Sequence, residues 1–435
     1  MNQRSVSVLD KIKTYEIVKG VNIRLLRTEK FKTNSISLYI HLPLMKETVT
    51  KAALLPRVLK RGTDKYPSLT ELSKRTEELY GASVALGITK KGDGEAVKFN
   101  LQFVSDSFLS EKILHHVVDL LKQLVLCPKT EDGGFDKAWV SQEKENLKNF
   151  IEGLINDKKE YAQVKCNEIM FEGDPYGVFE YGYTEDLDKI DEQNLYEFYK
   201  EILDGSVIDI FAGGSFDEEE LVAELKAAFS GLAPRDAVYY KTRLAAVEED
   251  IEVKRVAETM PTSQSKLVMG FNCGVSPVSK EYYDTMMFSC IFGGSPFSKL
   301  FNNVREKLSL AYYVFSAADR QKGYMKISAG IEADKFDAAY DEIMLQLEKM
   351  RTGDFTDDEI ASAKKYLATS LGSAKDSMEA SENFYIGQII LNNNESIDEL
   401  IGKIQQVDRE AIIRAAKCVQ EDTIYFLKGV GSSEV

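Results

Sequence analysis

The order of strand and helix signals along this chain occurs twice, and that repetition constrains the fold more than any other feature. In the first half, Val97-Lys98-Phe99-Asn100-Leu101-Gln102-Phe103-Val104 alternates like a strand. A helical signal follows, with Ile113, Leu114, Val117, Leu120, Leu121 and Leu124 at spacings of three and four. In the second half, Met325-Lys326-Ile327-Ser328-Ala329-Gly330-Ile331 precedes a helix carrying Ile343, Met344, Leu347 and Met350. Each of these helices leads through a short acidic loop to a phenylalanine, Phe135 or Phe355. A second amphipathic helix comes next, marked by Val140, Leu147, Phe150, Ile151 and Leu154 in one copy and by Ile360, Ala363, Leu367 and Leu371 in the other. Each half closes on a helix and a strand, ending in Ile208-Asp209-Ile210-Phe211-Ala212-Gly213 and in Ile424-Tyr425-Phe426-Leu427-Lys428-Gly429.

A unit of this length is a duplicated domain and not a solenoid repeat. Each copy opens on alternating strands, Ser35 to Ile40 and Lys266 to Phe271, and no regular strand–helix–strand alternation runs through it. The class is therefore α+β: two homologous domains, each a mainly antiparallel sheet packed with helices. The reading places a first domain at 1–230, a linker at 231–258 and a second domain at 259–435. Pro234, Arg235 and the run Glu248-Glu249-Asp250 suit an exposed linker. The competing reading is two unrelated α+β domains that share only generic strand and helix signals.

Composition narrows the function. With 55 basic and 70 acidic residues the formal charge is −15, which disfavours nucleic acid or an anionic membrane as partner, because both select a cationic face. No run of 18 apolar residues is present, so no membrane span is expected, and Met1 to Val8 lacks the apolar core of a signal peptide. The five cysteines, Cys127, Cys166, Cys273, Cys290 and Cys418, are scattered without a C-x-x-C, as in a reducing cytoplasm. The three histidines are His41, His115 and His116. The adjacent pair would point about 100° apart on a helix and could not share one ion as an i, i+4 pair does.

The most distinctive segment runs from Gly293 through Arg305-Glu306-Lys307 to Leu310-Ala311-Tyr312-Tyr313-Val314. Its Gly293-Gly294-Ser295 reads as a turn capping a helix that starts near Pro296, with Leu300, Phe301 and Val304 as one buried stripe. Neither a P-loop nor a G-x-G-x-x-G is present. This pattern resembles the second-domain motif of the pitrilysin/insulinase family of metallopeptidases, which includes the mitochondrial processing peptidases. Lys60-Arg61-Gly62-Thr63, Leu79-Tyr80-Gly81-Ala82, Asp174-Pro175-Tyr176-Gly177 and Tyr183-Thr184-Glu185-Asp186-Leu187 resemble further family stretches. The resemblance covers nearly the whole chain.

It implies a site this chain lacks. Active members carry His-x-x-Glu-His before a Lys-Gly-Thr, plus a distal glutamate; two histidines on one helix face hold zinc and the glutamate polarises the bound water. Here Ala53 and Arg57 stand at the histidine positions, Pro56 at the general base, and Phe150 at the distal ligand. A methyl, a guanidinium and a phenyl cannot bind zinc, and proline cannot accept a proton. Glu145 and Glu152, near Phe150, sit on other faces of its helix. No metal is therefore expected in this chain. The second-domain pair does survive, as Arg305 and Tyr312, which the resemblance assigns to gripping the substrate backbone and the developing oxyanion. Tyr313 is the weaker candidate because its side chain should face the other side of the strand. Substrate binding in the family resembles strand addition to a sheet edge. The acidic excess is compatible with a chamber preferring basic or neutral peptides.

The resemblance thus implies the non-catalytic, cytoplasmic subunit of a bacterial heterodimeric peptidase. A zinc-bearing His-x-x-Glu-His partner would supply the chemistry, and this chain would contribute Arg305, Tyr312 and half the chamber for a peptide or protein substrate. Leu42-Pro43 and Lys60-Arg61-Gly62-Thr63 look most like a Gram-positive branch associated with aminopentanol modification of elongation factor P. Two alternatives remain: a non-proteolytic scaffold, as in the core subunits of the cytochrome bc1 complex, and an enzyme of other chemistry using Cys273 or Asp residues in the cleft.

Overall fold

The structure is a computed structural model and describes residues 12–245, 247, 251–319 and 321–430. The strands are β1 (Lys13–Val18), β2 (Val21–Arg27), β3 (Thr33–Pro43), β4 (Ser83–Lys91), β5 (Gly94–Val104), a small hairpin of β6 (Thr130–Glu131) and β7 (Gly134–Phe135), then β8 (Ile208–Gly214), β9 (Lys254–Pro261), β10 (Ser265–Asn272), β11 (Ala311–Asp319), β12 (Tyr324–Ile331) and β13 (Gln420–Val430). They form two large sheets, ordered β1-β2-β8-β3-β5-β4 and β9-β13-β10-β12-β11.

The duplication is explicit in the pairing. Matching β2, β8, β3, β5 and β4 to β9, β13, β10, β12 and β11 reproduces both the order and the direction of every neighbour. The pairs β2·β8 and β9·β13 are parallel. The remaining large-sheet pairs, with β1·β2 added in the first sheet, are antiparallel. Such agreement does not arise from two unrelated α+β domains. The alternating segments form strands because one face must be buried: on β5, Val97, Phe99, Leu101 and Phe103 all enter the first core.

The chain divides into two compact units that do not follow its two halves. The first comprises 1–152, 178–241 and 374–396; the second comprises 153–177, 242–373 and 397–435. The cause is packing of two helices. Helix Lys158–Met170 buries Ala162 and Cys166 against Val268, Tyr425 and Leu427 of the second sheet. Helix Met378–Ile390 places Tyr385 and Ile386 on Leu26, Tyr39, Ala96 and Phe211 of the first. Each sheet is thus covered on its second face by a helix from the other half of the sequence. The expected linker at 231–258 is also shorter in structure, since β9 begins at Lys254. Glu248-Glu249-Asp250 lies outside the described residues.

Candidate functional site: a cleft without zinc ligands and an exposed Arg/Tyr segment

In the first unit, helix Val49–Leu59 carries Ala53, Pro56 and Arg57, and helix Lys137–Gly153 carries Phe150. The four sequence-predicted positions meet as walls of one cleft of about 580 Å³, together with Lys60, Arg61, Glu143, Tyr181 and β4 residues Leu86, Gly87 and Ile88. Ala53 and Pro56 are buried. The Arg57 guanidinium lies over the Phe150 ring, 5.3 Å from its centroid. Phe150 in turn packs against Tyr181 at 4.6 Å. An arginine over an aromatic ring therefore occupies the centre of the positions that the sequence resemblance assigns to zinc binding.

Close packing holds the Val49–Leu59 helix in place. Gly182, with φ +77°, lies against Thr50: a Cβ there would sit 2.3 Å from Thr50 Oγ1. The Thr50 hydroxyl accepts the Tyr183 N–H at 3.1 Å. The stretch that resembles the family's Gly-Thr-Glu-x-Leu is thus a clamp on the helix. Likewise Gly62 admits the Trp139 ring to 2.9 Å from where its Cβ would be.

Sequence reasoning missed Glu143. It stands seven residues before Phe150, two turns along the same helix face, and that spacing was the available signal. Its carboxylate is buried, pairs with Arg61 Nη1 at 3.3 Å and accepts from Asn146 Nδ2 at 3.1 Å. Arg61 also donates to Gln142. One carboxylate already spent on arginine is not a zinc site, and among the described residues no cluster of three His, Cys, Asp or Glu could hold a metal. The donor set of Ala53, Pro56, Arg57 and Phe150 does not fit zinc.

The histidines serve other ends. His41 Nε2 lies 3.0 Å from Asp209, which also accepts from Arg24 Nε at 2.7 Å and from the Tyr239 hydroxyl at 2.7 Å. Burial pushes the Asp209 carboxyl up, but His41, Arg24 and Tyr239 outweigh it and hold it down at about 2. His115 Nδ1 pairs with Glu224 at 2.7 Å on the surface. Cys273 is buried, and burial, reinforced by Cys418, pushes its thiol up to about 12. At neutral pH it is not a nucleophile, which removes Cys273 as a basis for the alternative chemistry.

The second unit carries Arg305 and Tyr312 on a segment of unusual backbone. Gly293-Gly294 closes the wide-turn helical stretch Cys290–Gly294 and does not open the next helix. That helix is capped instead by Ser298, whose hydroxyl accepts the Phe301 N–H at 3.3 Å. From Phe301 to Lys307 the helix widens to π-type turns, and Arg305 lies within it. Ser309 follows at φ +51°. The β11·β12 register then slips, Ala311 facing Ile331 and Tyr313 facing Gly330, so Tyr312 is the extra residue of a β-bulge. π-turns, left-handed non-glycine residues and bulges each carry a cost and concentrate where a side chain must be aimed.

Both side chains face solvent. Tyr312 is 58 % exposed and its hydroxyl donates to Glu332 at 3.3 Å. Arg305 is 42 % exposed, stacks on Phe301 at 4.8 Å and lies 3.6 Å from Glu306. Tyr313 turns the opposite way, under the ammonium groups of Lys159 and Lys266 at 5.0 and 5.6 Å.

Comparison with known proteins agrees with the geometry. Over 420 residues the chain is 33 % identical to the probable inactive metalloprotease YmfF of Bacillus subtilis (strain 168), covering 94 % of this chain and 96 % of that one. The chain belongs to the M16 peptidase family. The family model "Peptidase M16 inactive domain" matches residues 189–367. A conserved protein of Enterococcus faecalis V583 superposes with a TM-score of 0.88 at 31 % identity, over 97 % of this chain and 99 % of that structure. A protease from Helicobacter pylori shares the fold, with a TM-score of 0.80 at 14 % identity over 97 % and 100 % of the two chains. No helix among the described residues is long and apolar enough to cross a membrane.

Proposed function

We propose that this chain is the non-catalytic subunit of a heterodimeric M16 peptidase. It contributes Arg305, Tyr312 and half the substrate chamber, while a partner with His-x-x-Glu-His holds zinc and performs hydrolysis. The observation that carries the reading is a contrast within one chain. The positions that the resemblance assigns to zinc binding hold Ala53, Pro56, Arg57 and Phe150, residues unable to bind it, while Arg305 and Tyr312 are exposed on a π-turn and a bulge. Strained backbone persists where surrounding structure is kept to maintain it. An arginine fork and a tyrosine hydroxyl suit a carbonyl oxygen that gains negative charge. The probable inactive status of the Bacillus subtilis relative supports the division of labour. A cytoplasmic location and a link to aminopentanol modification of elongation factor P belong to the same reading, through the Gram-positive branch the sequence resembles.

The test is co-expression with an M16 chain of the same organism that carries His-x-x-Glu-His, followed by peptide cleavage and metal analysis of each subunit. The pair cleaves, this chain alone does not, and zinc is found only in the partner. A stable pair that cleaves no peptide would point to a scaffold instead. Stoichiometric zinc and cleavage by this chain alone would overturn the proposal.

A further inference from the structure

The stripped cleft is a cavity with its own chemistry. Its charged lining is Arg57, Lys60, Arg61 and Glu143, and the last two are paired with each other. Arg57 and Lys60 are left, and among the described residues neither has a carboxylate partner. A chain of net charge −15 thus lines this cleft with an excess of positive charge. The stack of Arg57 on Phe150, itself held by Tyr181, positions the guanidinium plane while leaving its N–H edge unspent. A planar fork with unspent donors is the group that recognises a carboxylate in bidentate fashion.

One wall of the cleft is β4, the outermost strand of its sheet. Alternate N–H and C=O groups over Leu86–Ile88 face away from β5, as on any edge strand, where another strand can pair. Leu86 and Ile88, on the face that looks into the cleft, offer apolar contacts beside that edge. An extended peptide can add to β4 through its backbone, drop apolar side chains beside Leu86 and Ile88, and bring an anionic group to Arg57.

We infer that this cleft binds an extended peptide that presents a carboxylate to Arg57, among the positions that the sequence resemblance assigns to zinc binding. The inference rests on the reading of the chain as a peptide-binding half-chamber, and it reverses the preference for basic or neutral peptides that net charge alone suggests. Local charge governs because the excess of acidic residues is spread over the whole chain, while the cleft is lined by its own cations.

The experiment measures binding of three end-labelled, N-acetylated octapeptides of alternating apolar sequence to the full chain by fluorescence anisotropy. One has a central Glu and an amidated C-terminus, one a central Gln and a free C-terminal carboxylate, and one a central Gln and an amide. At least one carboxylate peptide binds about ten-fold more tightly than the neutral one, as one charge-assisted contact provides. Which of the two does so distinguishes an acidic side chain from a chain terminus. Arg57→Met abolishes the preference, and Arg57→Lys, which keeps the charge but loses the fork, retains part of it. Equal binding of all three peptides, or a preference that survives Arg57→Met, overturns the inference and leaves the half-chamber reading standing. Failure of every peptide to bind also overturns the inference, while the half-chamber reading stands or falls separately on cleavage by the co-expressed pair.

Discussion

Glu95 stands on β5 between Leu42 of β3 and Lys90 of β4, on the face that enters the first core. It is 3 % exposed, and neither carboxyl oxygen has a hydrogen-bond partner among the described residues. Burial, reinforced by Glu180 and opposed by Lys90, pushes its pKa from 4.5 to about 8. The folded state therefore holds a proton that the unfolded chain releases. The stabilising contribution is fully present below pH 4.5 and is lost as pH rises through about 8. At about 1.4 kcal/mol per pH unit between those values, the loss is about 3 kcal/mol at pH 7 and approaches about 5 above pH 8. Glu95→Gln mimics the protonated form at every pH. Urea denaturation of wild type and variant from pH 4 to 8.5 should give curves that nearly coincide at the acid end. The variant should become progressively more stable by those amounts as pH rises. A difference that does not change with pH, or a variant less stable throughout, would refute the account of Glu95 as a buried, proton-holding carboxyl.

Asp209→Asn should destabilise by about 3–5 kcal/mol at neutral pH in chemical denaturation, because Arg24 and His41 lose the carboxylate they converge on inside the sheet. Acid titration of the wild type should show the complementary effect, with stability from Asp209 present above pH 3.8 and lost as pH falls through about 2. Gly182→Ala should cost about 3 kcal/mol or more, combining left-handed strain at φ +77° with a Cβ 2.6 Å from Thr50 Cα. Gly81→Ala, also left-handed at φ +75° but with nothing near its Cβ, should cost only the strain, about 1 kcal/mol. Comparing the two midpoints separates backbone strain from the clamp on the Val49–Leu59 helix.

The strands and helices of both halves were legible because each buries one face and so writes a period of two or 3.6 into the sequence. The family resemblance assigned Ala53, Pro56, Arg57 and Phe150 to one site, and one cleft contains all four. Periodicity says that a helix has an apolar face, but not which sheet that face covers. The exchange of Lys158–Met170 and Met378–Ile390 between the two sheets was therefore invisible, and the boundaries at 231–258 missed it. Local ambiguity explains the reading of Gly293-Gly294 as a helix start, since small residues both end helices and precede them. The pairing of Arg61 with Glu143 and the stacking of Arg57 on Phe150 join residues about eighty or more positions apart. Only a tertiary structure supplies such contacts. The bulge at Tyr312 has no sequence mark, because one extra residue in a strand is defined by its partner strand.

The central claim is that this chain has surrendered the metal and kept the grip on substrate. It is tested most directly by the cleavage rate of the co-purified pair when only this chain is altered. Arg305→Ala and Tyr312→Phe remove groups that are exposed here, so fold and pairing should persist. The account predicts that each lowers kcat/KM by about 100-fold, the scale of losing one oxyanion donor, with the partner's zinc content unchanged. A pair that cleaves at the wild-type rate with both substitutions in place would contradict it.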